Sequence, residues 1–532
     1  MAKIIGAASG DVPWHPHSGG MGTIGGGVDL VVDLADGHVD VGTTDMAIPG
    51  RGPDLTLRRT WDSTLAQAPA LAQQGWVSSL APSMSGILTG TVRYRDVGGA
   101  IWPFQYTGSL TATAPYTAYV TPPGQPWQLA TSTAGYTLTD FLTSETWTFD
   151  GQGRLTADQD AYGNQNSLSY GAGSATSPSG ESNSGGRSLA FGYTNGLLSE
   201  AQSPLWQSGG RGAAGSQHVT YGYNGSGQLT TRTLGAGAPD AVTTTFGYSS
   251  TQLISITTAA NRTWALGYDP LGRVVAVTSP ASGTLGQPGY TPSYTTQYSY
   301  GSGQTQVIAG AGTSAALTTT YTLDGQGELI TVTDGLGHST ATTYDADHDV
   351  TSNTDANGNT TTDMYQYIGP SGYSGPIGIS GTVGQLIKQD QPAIQPYSPL
   401  NATLVSPVIT HTYDPTTHDL VATGLPEGGV TRYTYDGHHS VVAMAEQTTS
   451  NTCQAQCPTT WRGRINAYDQ YGERVSSTDG RGVSVDASGN ATLADPNGLY
   501  TSHTTYDPRG DLVAEGARPS PPRSTGTRRP LP

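Results

Sequence analysis

The feature that most constrains the fold of this 532-residue chain is a unit that recurs along most of its length. Each unit has an aromatic residue, an Asp-x-x-Gly turn and a short stretch of alternating apolar residues. The clearest copy is GYDPLGRVVAV, in which Tyr268 and Asp269 precede Gly272. Successive aromatic residues are commonly 20 to 23 positions apart, a length that fits two strands and two turns. The chain is therefore predicted to be a repeat protein.

Asp-x-x-Gly has the sequence preference of a type I turn, in which Asp caps the turn and Gly accepts unusual backbone angles. Chance would give roughly three such turns among the aspartates that follow Phe149. The sequence has eleven, which begin at Asp150, Asp160, Asp269, Asp324, Asp334, Asp355, Asp469, Asp479, Asp486, Asp495 and Asp507. Most of these carboxylates are therefore predicted to be structural. His439 takes the Gly position of a degenerate turn, where a hydrogen-bonding side chain is tolerated.

The tyrosine before each turn can bury its ring while its hydroxyl reaches a backbone group or water. Leu and Val after the glycine supply an inward face. A lone hairpin is only marginally stable in water, so each must stack on its neighbours. The composition agrees, because Gly (73 residues) and Tyr (29) are abundant while Phe (5) and Met (6) are rare. The predicted fold is all-β: a long antiparallel hairpin-repeat sheet that twists and curls, preceded by a small β domain.

The sequence divides into four parts. Residues 1–25 are Gly-rich and predicted to be disordered, and 26–148 form an N-terminal β domain with a hairpin around Asp36 and Gly37. Residues 149–516 carry the repeats with polar loop inserts, and 517–532 form a disordered tail rich in Pro and Arg.

These features resemble the tyrosine-aspartate (YD) repeats of the Rhs and teneurin-like proteins. The block VGTTDMAIPGRGPDLTLRRTWDS at 41–63 is similar to the segment that precedes the repeats in bacterial Rhs proteins. The resemblance implies that the sheet curls into a cocoon-like β shell around a C-terminal toxin, and some members bind carbohydrate. Members with cargo carry an Asp-Pro-x-Gly self-cleavage motif. Asp507-Pro508-Arg509-Gly510 has those letters, but it follows Thr-Tyr as an ordinary repeat turn and only 22 residues come after it.

The charge composition limits the partners. The formal net charge is −17, only 12% of residues are charged, and Lys3 and Lys388 are the two lysines. Such a chain repels nucleic acid and anionic lipid, and its uncharged polar residues suit an extracellular or cell-surface protein. No signal peptide and no run of eighteen apolar residues is present, so no membrane span is expected and the export route stays open.

No catalytic, cofactor-binding or metal-binding residue is predicted, and no cofactor. Residues 20–25 match the Gly-x-Gly-x-x-Gly letters of a dinucleotide-binding motif. That motif needs a strand before it and a helix after it, whereas here a loop rich in Pro and His precedes it and a predicted strand comes after it. The acidic run at 345–349 begins like a calcium loop, but Val350 and Ala356 occupy positions that an EF-hand gives to Gly and Glu. Cys453 and Cys457 fit a local disulfide or two idle thiols better than a zinc site.

Three functions remain open. The first is a non-enzymatic structural or encapsulating shell of an Rhs-like toxin or cell-surface protein, truncated before its toxin, with that cargo as partner. The second is a carbohydrate-binding adhesion module whose partners are cell-surface glycans. The third, a polysaccharide hydrolase, needs an acidic pair that the sequence does not single out.

Overall fold

A computed structural model describes residues 20–23, 27–67, 74–86, 90–106, 119–122, 124–132, 134–171, 176–203, 217–283, 287, 290–369, 383–393, 406–426, 428–449 and 459–516. In these ranges the chain is all-β, as predicted, and its helical structure is a 3₁₀ turn at Leu65–Gln67. No helix there is long and apolar enough to cross a membrane. Of the start predicted to be disordered, Gly20–Thr23 forms a strand, while the rest and the tail at 517–532 lie outside the described residues.

The N-terminal region forms two antiparallel sheets. The first has five strands in chain order: β1 (Gly20–Thr23), β2 (Val28–Val32), β3 (Val39–Ile48), β4 (Leu55–Asp62) and β5 (Trp76–Ser78). The second has four: β6 (Ser83–Gly86), β7 (Thr91–Arg95), β8 (Ile101–Tyr106) and β9 (Tyr119–Val120). The predicted hairpin is confirmed, because β2 pairs with β3 and Gly37 has a φ of 77° in the turn between them.

The repeats form one antiparallel sheet of thirty strands, which confirms the predicted hairpin-repeat sheet. Its strands pair with their neighbours along the chain. They are β10 (Trp127–Ser132), β11 (Gly135–Asp140), β12 (Thr146–Asp150), β13 (Leu155–Gln159), β14 (Gln165–Tyr170), β15 (Pro178–Asn183), β16 (Ser188–Thr194), β17 (Leu197–Gln202), β18 (His218–Tyr223), β19 (Leu229–Leu234), β20 (Val242–Ser249), β21 (Gln252–Thr257), β22 (Thr263–Tyr268), β23 (Val274–Ser279), β24 (Tyr294–Gly301), β25 (Gln304–Ala309), β26 (Leu317–Leu323), β27 (Leu329–Thr333), β28 (Ser339–Tyr344), β29 (Val350–Thr354), β30 (Thr360–Ile368), β31 (Val383–Asp390), β32 (Val408–Tyr413), β33 (Leu420–Gly424), β34 (Val430–Tyr435), β35 (Val441–Thr449), β36 (Thr459–Tyr468), β37 (Arg474–Thr478), β40 (Thr501–Tyr506) and β41 (Leu512–Glu515).

A separate hairpin of β38 (Val483–Val485) and β39 (Ala491–Leu493) lies between β37 and β40 in the chain and packs on β36. The thirty-stranded sheet begins at β10, ahead of position 149 where the repeat region is predicted to start. That domain boundary stays a prediction.

The chain divides into two units, one of residues 1–160 with 165–386 and the other of 161–164 with 387–532. The core of the first unit is assembled from alternating apolar residues of the five-stranded sheet and from one face of the repeat strands. Leu30, Leu55 and Trp61 of the small sheet are fully buried, as are Leu253 and Ile256 of β21. Each such side chain contributes about 1.5 to 3 kcal/mol on burial, so the small sheet is an integral layer of this unit.

Candidate functional site

The repeat turn is built as its sequence predicts. In the copy at Asp269, the Gly272 amide donates to the Asp269 carbonyl at 3.0 Å, and Gly272 has a φ of 84°. The Asp269 Oδ1 atom accepts from the amides of Leu271 at 2.9 Å and Arg273 at 3.0 Å. Burial raises the pKa of Asp269, but the hydrogen bonds and charge of Arg273 and the hydrogen bond from the Leu271 amide together outweigh it, so the pKa lies below its ordinary value. This carboxylate is therefore an ionised turn former.

Other turns repeat these contacts. The same amide-to-carbonyl bond links the first and fourth residues of the turns that begin at Asp150, Asp324, Asp334, Asp355, Asp469, Asp479, Asp486, Asp495 and Asp507. The turn at Asp507 has the letters of the self-cleavage motif. Its Asp507 Oδ1 atom accepts hydrogen bonds from the amides of Arg509 and Asp511, as in ordinary repeat turns. The prediction for His439 is confirmed, since its φ is 64°.

The calcium-like run at 345–349 is also a repeat turn. Asp345 Oδ1 accepts from the amides of Asp347 at 2.9 Å and Asp349 at 3.1 Å, and its other oxygen accepts from the hydroxyl of Tyr367. His348 lies in the left-handed region, with Nδ1 2.8 Å from Glu328. The Asp345 carboxylate therefore serves the turn. Cys453 and Cys457 lie outside the described residues.

The repeat tyrosine forms a hydrogen bond to the preceding hairpin. Tyr268 donates its hydroxyl to the backbone carbonyl of Leu253, fifteen residues earlier, at 2.7 Å. Burial raises the pKa of Tyr268 above its ordinary range and that of Tyr170 to about 12. The same fifteen-residue contact joins Tyr170 to Leu155, Tyr193 to Pro178, Tyr344 to Leu329, Tyr365 to Val350 and Tyr435 to Leu420. The tyrosines therefore connect successive hairpins as well as anchoring their own strands.

A buried ion pair fastens the five-stranded sheet to the repeats. A β-bulge between Thr44 and Met46 shifts the register of β3 against β4, and both Asp45 and Met46 are buried there. Asp45 accepts from Arg232 of β19 at 3.1 Å and from the hydroxyl of Tyr221 of β18 at 2.7 Å. Bulges commonly redirect one side chain in this way.

Further contacts place the five-stranded sheet against repeat strands from β14 to β25. Asn166 donates to the carbonyl of Asp54 at 3.3 Å, and Trp76 donates to the hydroxyl of Tyr248 at 2.9 Å. Thr305 donates to the carbonyl of Leu34 at 2.7 Å. These strands therefore have a second layer of protein on one face.

Later repeat strands are covered less. Among the residues of strands β26–β30 and β32–β34, Leu323 is buried and the others are half-buried or exposed. Half-buried and exposed side chains alternate along β28, β30 and the ends of β32 and β34, so that one face is shielded more than the other. The half-buried residues include Tyr344, Tyr365, Tyr413 and Tyr435. Within each of the two units, these strands therefore present a partly apolar face.

A cavity of about 400 Å³ lies at the edge of the N-terminal sheets. Its lining includes Arg59, Arg95, Trp76 and Tyr193, with serine hydroxyls between them. Arg59 is 2% exposed, and its guanidinium carbon lies 4.6 Å from the centre of the Tyr221 ring. The volume lies in the usual range for small-ligand sites. This cavity could not be predicted from the sequence, because its lining comes from segments far apart in the chain.

Comparison with known proteins gives one family match. Residues 248–284 match the family model described as RHS Repeat, which confirms the resemblance inferred from the sequence. No curated protein matches the chain.

Similar solved structures are components of toxin complexes. A TcdB2-TccC3 structure without its hypervariable C-terminal region is 13% identical, with a TM-score of 0.35, and the match covers 89% of this chain and 24% of that one. The Tc holotoxin pore of Photorhabdus luminescens is 12% identical with a TM-score of 0.24, and coverage is 89% and 29%. The chain thus spans about a quarter of the length of these solved chains.

Proposed function

We propose that this chain, which carries an RHS repeat, is a wall segment of an Rhs-type toxin carrier and that its repeat sheet surrounds a cargo polypeptide. The observation that carries the proposal is the contrast between the two parts of the sheet. Strands β14–β25 are covered by the N-terminal sheet, whereas β26–β30 and β32–β34 bury only Leu323. A sheet face of Tyr, Val and Thr whose side chains are only half-buried is suited to contact another polypeptide.

The wall is proposed to be non-enzymatic and to act outside the cell or at its surface. The repeat aspartates are engaged by turn amides, as the lowered pKa of Asp269 shows, and this supports a structural role. The low content of charged residues supports an extracellular setting.

Cargo protection provides the test. A small, protease-sensitive reporter fused after Pro532 should be digested by trypsin much more slowly than the same reporter fused before Met1. The N-terminal fusion is the matched control, because both proteins contain the same wall and the same reporter. Equal digestion of the two reporters, with the repeat region itself intact on the gel, would refute the carrier proposal.

A carbohydrate-binding module is the second candidate, and the 400 Å³ cavity favours it. Tyr193 offers aromatic surface, while Arg95 and the serines offer hydrogen-bond donors for an acidic sugar. A glycan array should then show an acidic glycan that binds the wild-type chain and is lost in Arg95→Gln. An array without any bound glycan would remove this candidate.

A further inference from the structure

We propose that the cavity at the edge of the N-terminal sheets binds a small monocarboxylate and that the buried charge of Arg59 selects this anion. The inference rests on the carbohydrate-binding candidate, whose ligand class and charge anchor it names, and it is independent of the carrier proposal. The observation behind it is a buried arginine in the cavity wall that forms no ion pair with any described carboxylate.

Strand β4 places Arg59 in the cavity wall. Its neighbour Arg58 is exposed whereas Arg59 is 2% exposed, because successive side chains of a strand point to opposite faces. The Arg59 guanidinium carbon lies 4.6 Å from the ring centre of Tyr221, 5.3 Å from that of Trp76 and 6.0 Å from that of Tyr223. Aromatic faces attract a cation, so the three rings hold the guanidinium in place.

The charge of Arg59 is not balanced by these neighbours. Among the residues that the structure describes, no carboxylate forms an ion pair with Arg59, and its Nη1 atom is buried without a hydrogen-bond partner. The nearby carboxylate of Asp45 is already engaged by Arg232 and Tyr221. Burial raises the pKa of Tyr221 and Tyr223, so both phenols are neutral. A buried charge without a partner is unfavourable, and a bound anion would remove that cost.

The rest of the cavity wall is suited to a carboxylate. Its described lining contains no Asp or Glu, and it includes Ser78, Ser83, Ser85 and Ser177, whose hydroxyls can donate hydrogen bonds to an anion. Arg95 adds a second guanidinium to the lining. The planar fork of N–H groups on a guanidinium matches the geometry of a carboxylate.

The charges around the cavity favour a monoanion. Three guanidinium groups, those of Arg59, Arg95 and Arg232, interact with two carboxylates, those of Asp45 and Asp96. One positive charge is left over, and a single carboxylate neutralises it. A doubly charged phosphate would instead leave an excess negative charge in a partly buried place.

The size and surface of the cavity favour a ligand with a ring. The volume of about 400 Å³ is larger than a bare carboxylate needs. Tyr193, Leu80 and Leu198 also line the cavity and offer apolar surface against which a six-membered ring can pack. A sugar acid such as glucuronate combines a carboxylate with a ring of this kind.

The test compares three ligands on the full chain by isothermal titration calorimetry at low salt. Glucuronate carries the carboxylate on a sugar ring, glucose is its neutral counterpart, and cyclohexanecarboxylate carries the carboxylate on a ring without hydroxyls. We expect glucuronate to bind at one site per chain, and about tenfold or more tightly than glucose, because a hydrogen bond to a charged group contributes that much to affinity.

Substitution of Arg59 tests the charge itself. Arg59→Met should abolish the preference for glucuronate over glucose. Its melting temperature without ligand should stay close to that of the wild type, since an apolar side chain then replaces a charge that forms no ion pair. Arg58→Gln is the matched control, because it removes an exposed charge from the opposite face of β4, and it should leave both measurements unchanged.

Two results would overturn the anion site: equal affinity of the wild type for glucuronate and glucose, or full glucuronate affinity in Arg59→Met. If Arg59→Met does not fold, Arg95→Gln decides, since full glucuronate affinity in that variant would also contradict the proposal. Failure of the carbohydrate-binding candidate looks different. Cyclohexanecarboxylate bound as tightly as glucuronate would support the anion site and exclude a sugar as its specific ligand.

Discussion

The ion pair between Asp45 and Arg232 should be among the most important single contacts between the N-terminal sheet and the repeats. Their side chains are 0% and 1% exposed, and the carboxylate also accepts from Tyr221. Replacing Asp45 by Ala leaves the buried guanidinium without this carboxylate. Removal of one partner from a buried pair costs about 3 to 5 kcal/mol, so the free energy of unfolding should fall by about that amount.

Urea unfolding followed by tryptophan fluorescence measures the change, since Trp61, Trp76 and Trp102 are buried in the same unit. The matched control is Glu200→Ala in the same unit, which removes a carboxylate that is 44% exposed and lies 3.3 Å from His218. An exposed pair contributes about 0 to 1 kcal/mol, so this variant should be close to the wild type.

A double-mutant cycle separates the pair from its surroundings. Arg232→Met alone should also be strongly destabilising, while Asp45→Ala combined with Arg232→Met should cost less than the two single changes added together, because no charge is then left buried alone. If Asp45→Ala does not fold, Asp45→Asn keeps the volume and removes the charge. The reasoning is refuted if Asp45→Ala shifts the urea midpoint no more than Glu200→Ala, or if the two single effects add fully in the double variant.

Three other substitutions test the repeat tyrosine, the turn glycine and a buried carboxylate of the repeat sheet. Tyr268→Phe removes one hydroxyl-to-carbonyl bond and should lower the free energy of unfolding by about 1 kcal/mol in urea, while Tyr294→Phe, at a more exposed tyrosine, should have no measurable effect. Gly327→Ala places a side chain at a φ of 84° and should cost about 1 to 2 kcal/mol by the same measurement, whereas Gly325→Ala in the same turn meets open space and should be neutral. Burial and the charge of a neighbouring aspartate raise the pKa of Glu181 to about 7, so its contribution to stability is present below the unfolded pKa and is lost as the pH rises through 7. Urea midpoints at pH 4.5 to 8 should thus fall less steeply in Glu181→Gln than in the wild type, and parallel curves would contradict this.

The repeat could be predicted from the sequence because its determinants are local. The turn at Asp269 depends on contacts within four residues, and the Tyr268 bond joins positions fifteen residues apart. Both sequence separations are smaller than the 20 to 23 residues of one repeat, so the repeating sequence pattern contains them. The same holds for His439, whose positive φ follows from its place in the turn.

The contacts between the N-terminal sheet and the repeats could not be predicted in this way. Asp45 and Arg232 are 187 positions apart, and the bulge that buries Asp45 has no glycine to mark it. Long-range register, rather than residue type, determines these sites.

The distribution of burial relates the fold to the proposed function. In a repeat protein each unit is stabilised by its own hairpin, by its neighbours and by whatever covers its face. The N-terminal sheet covers strands β14–β25 and stabilises them through contacts such as Asp45 with Arg232. Strands β26–β30 and β32–β34 bury only Leu323 and depend on the ladder and on tyrosine bonds such as that of Tyr344. A cargo polypeptide packed on these half-buried side chains would cover them further, so in the proposed Rhs-type carrier the cargo would stabilise the wall that encloses it.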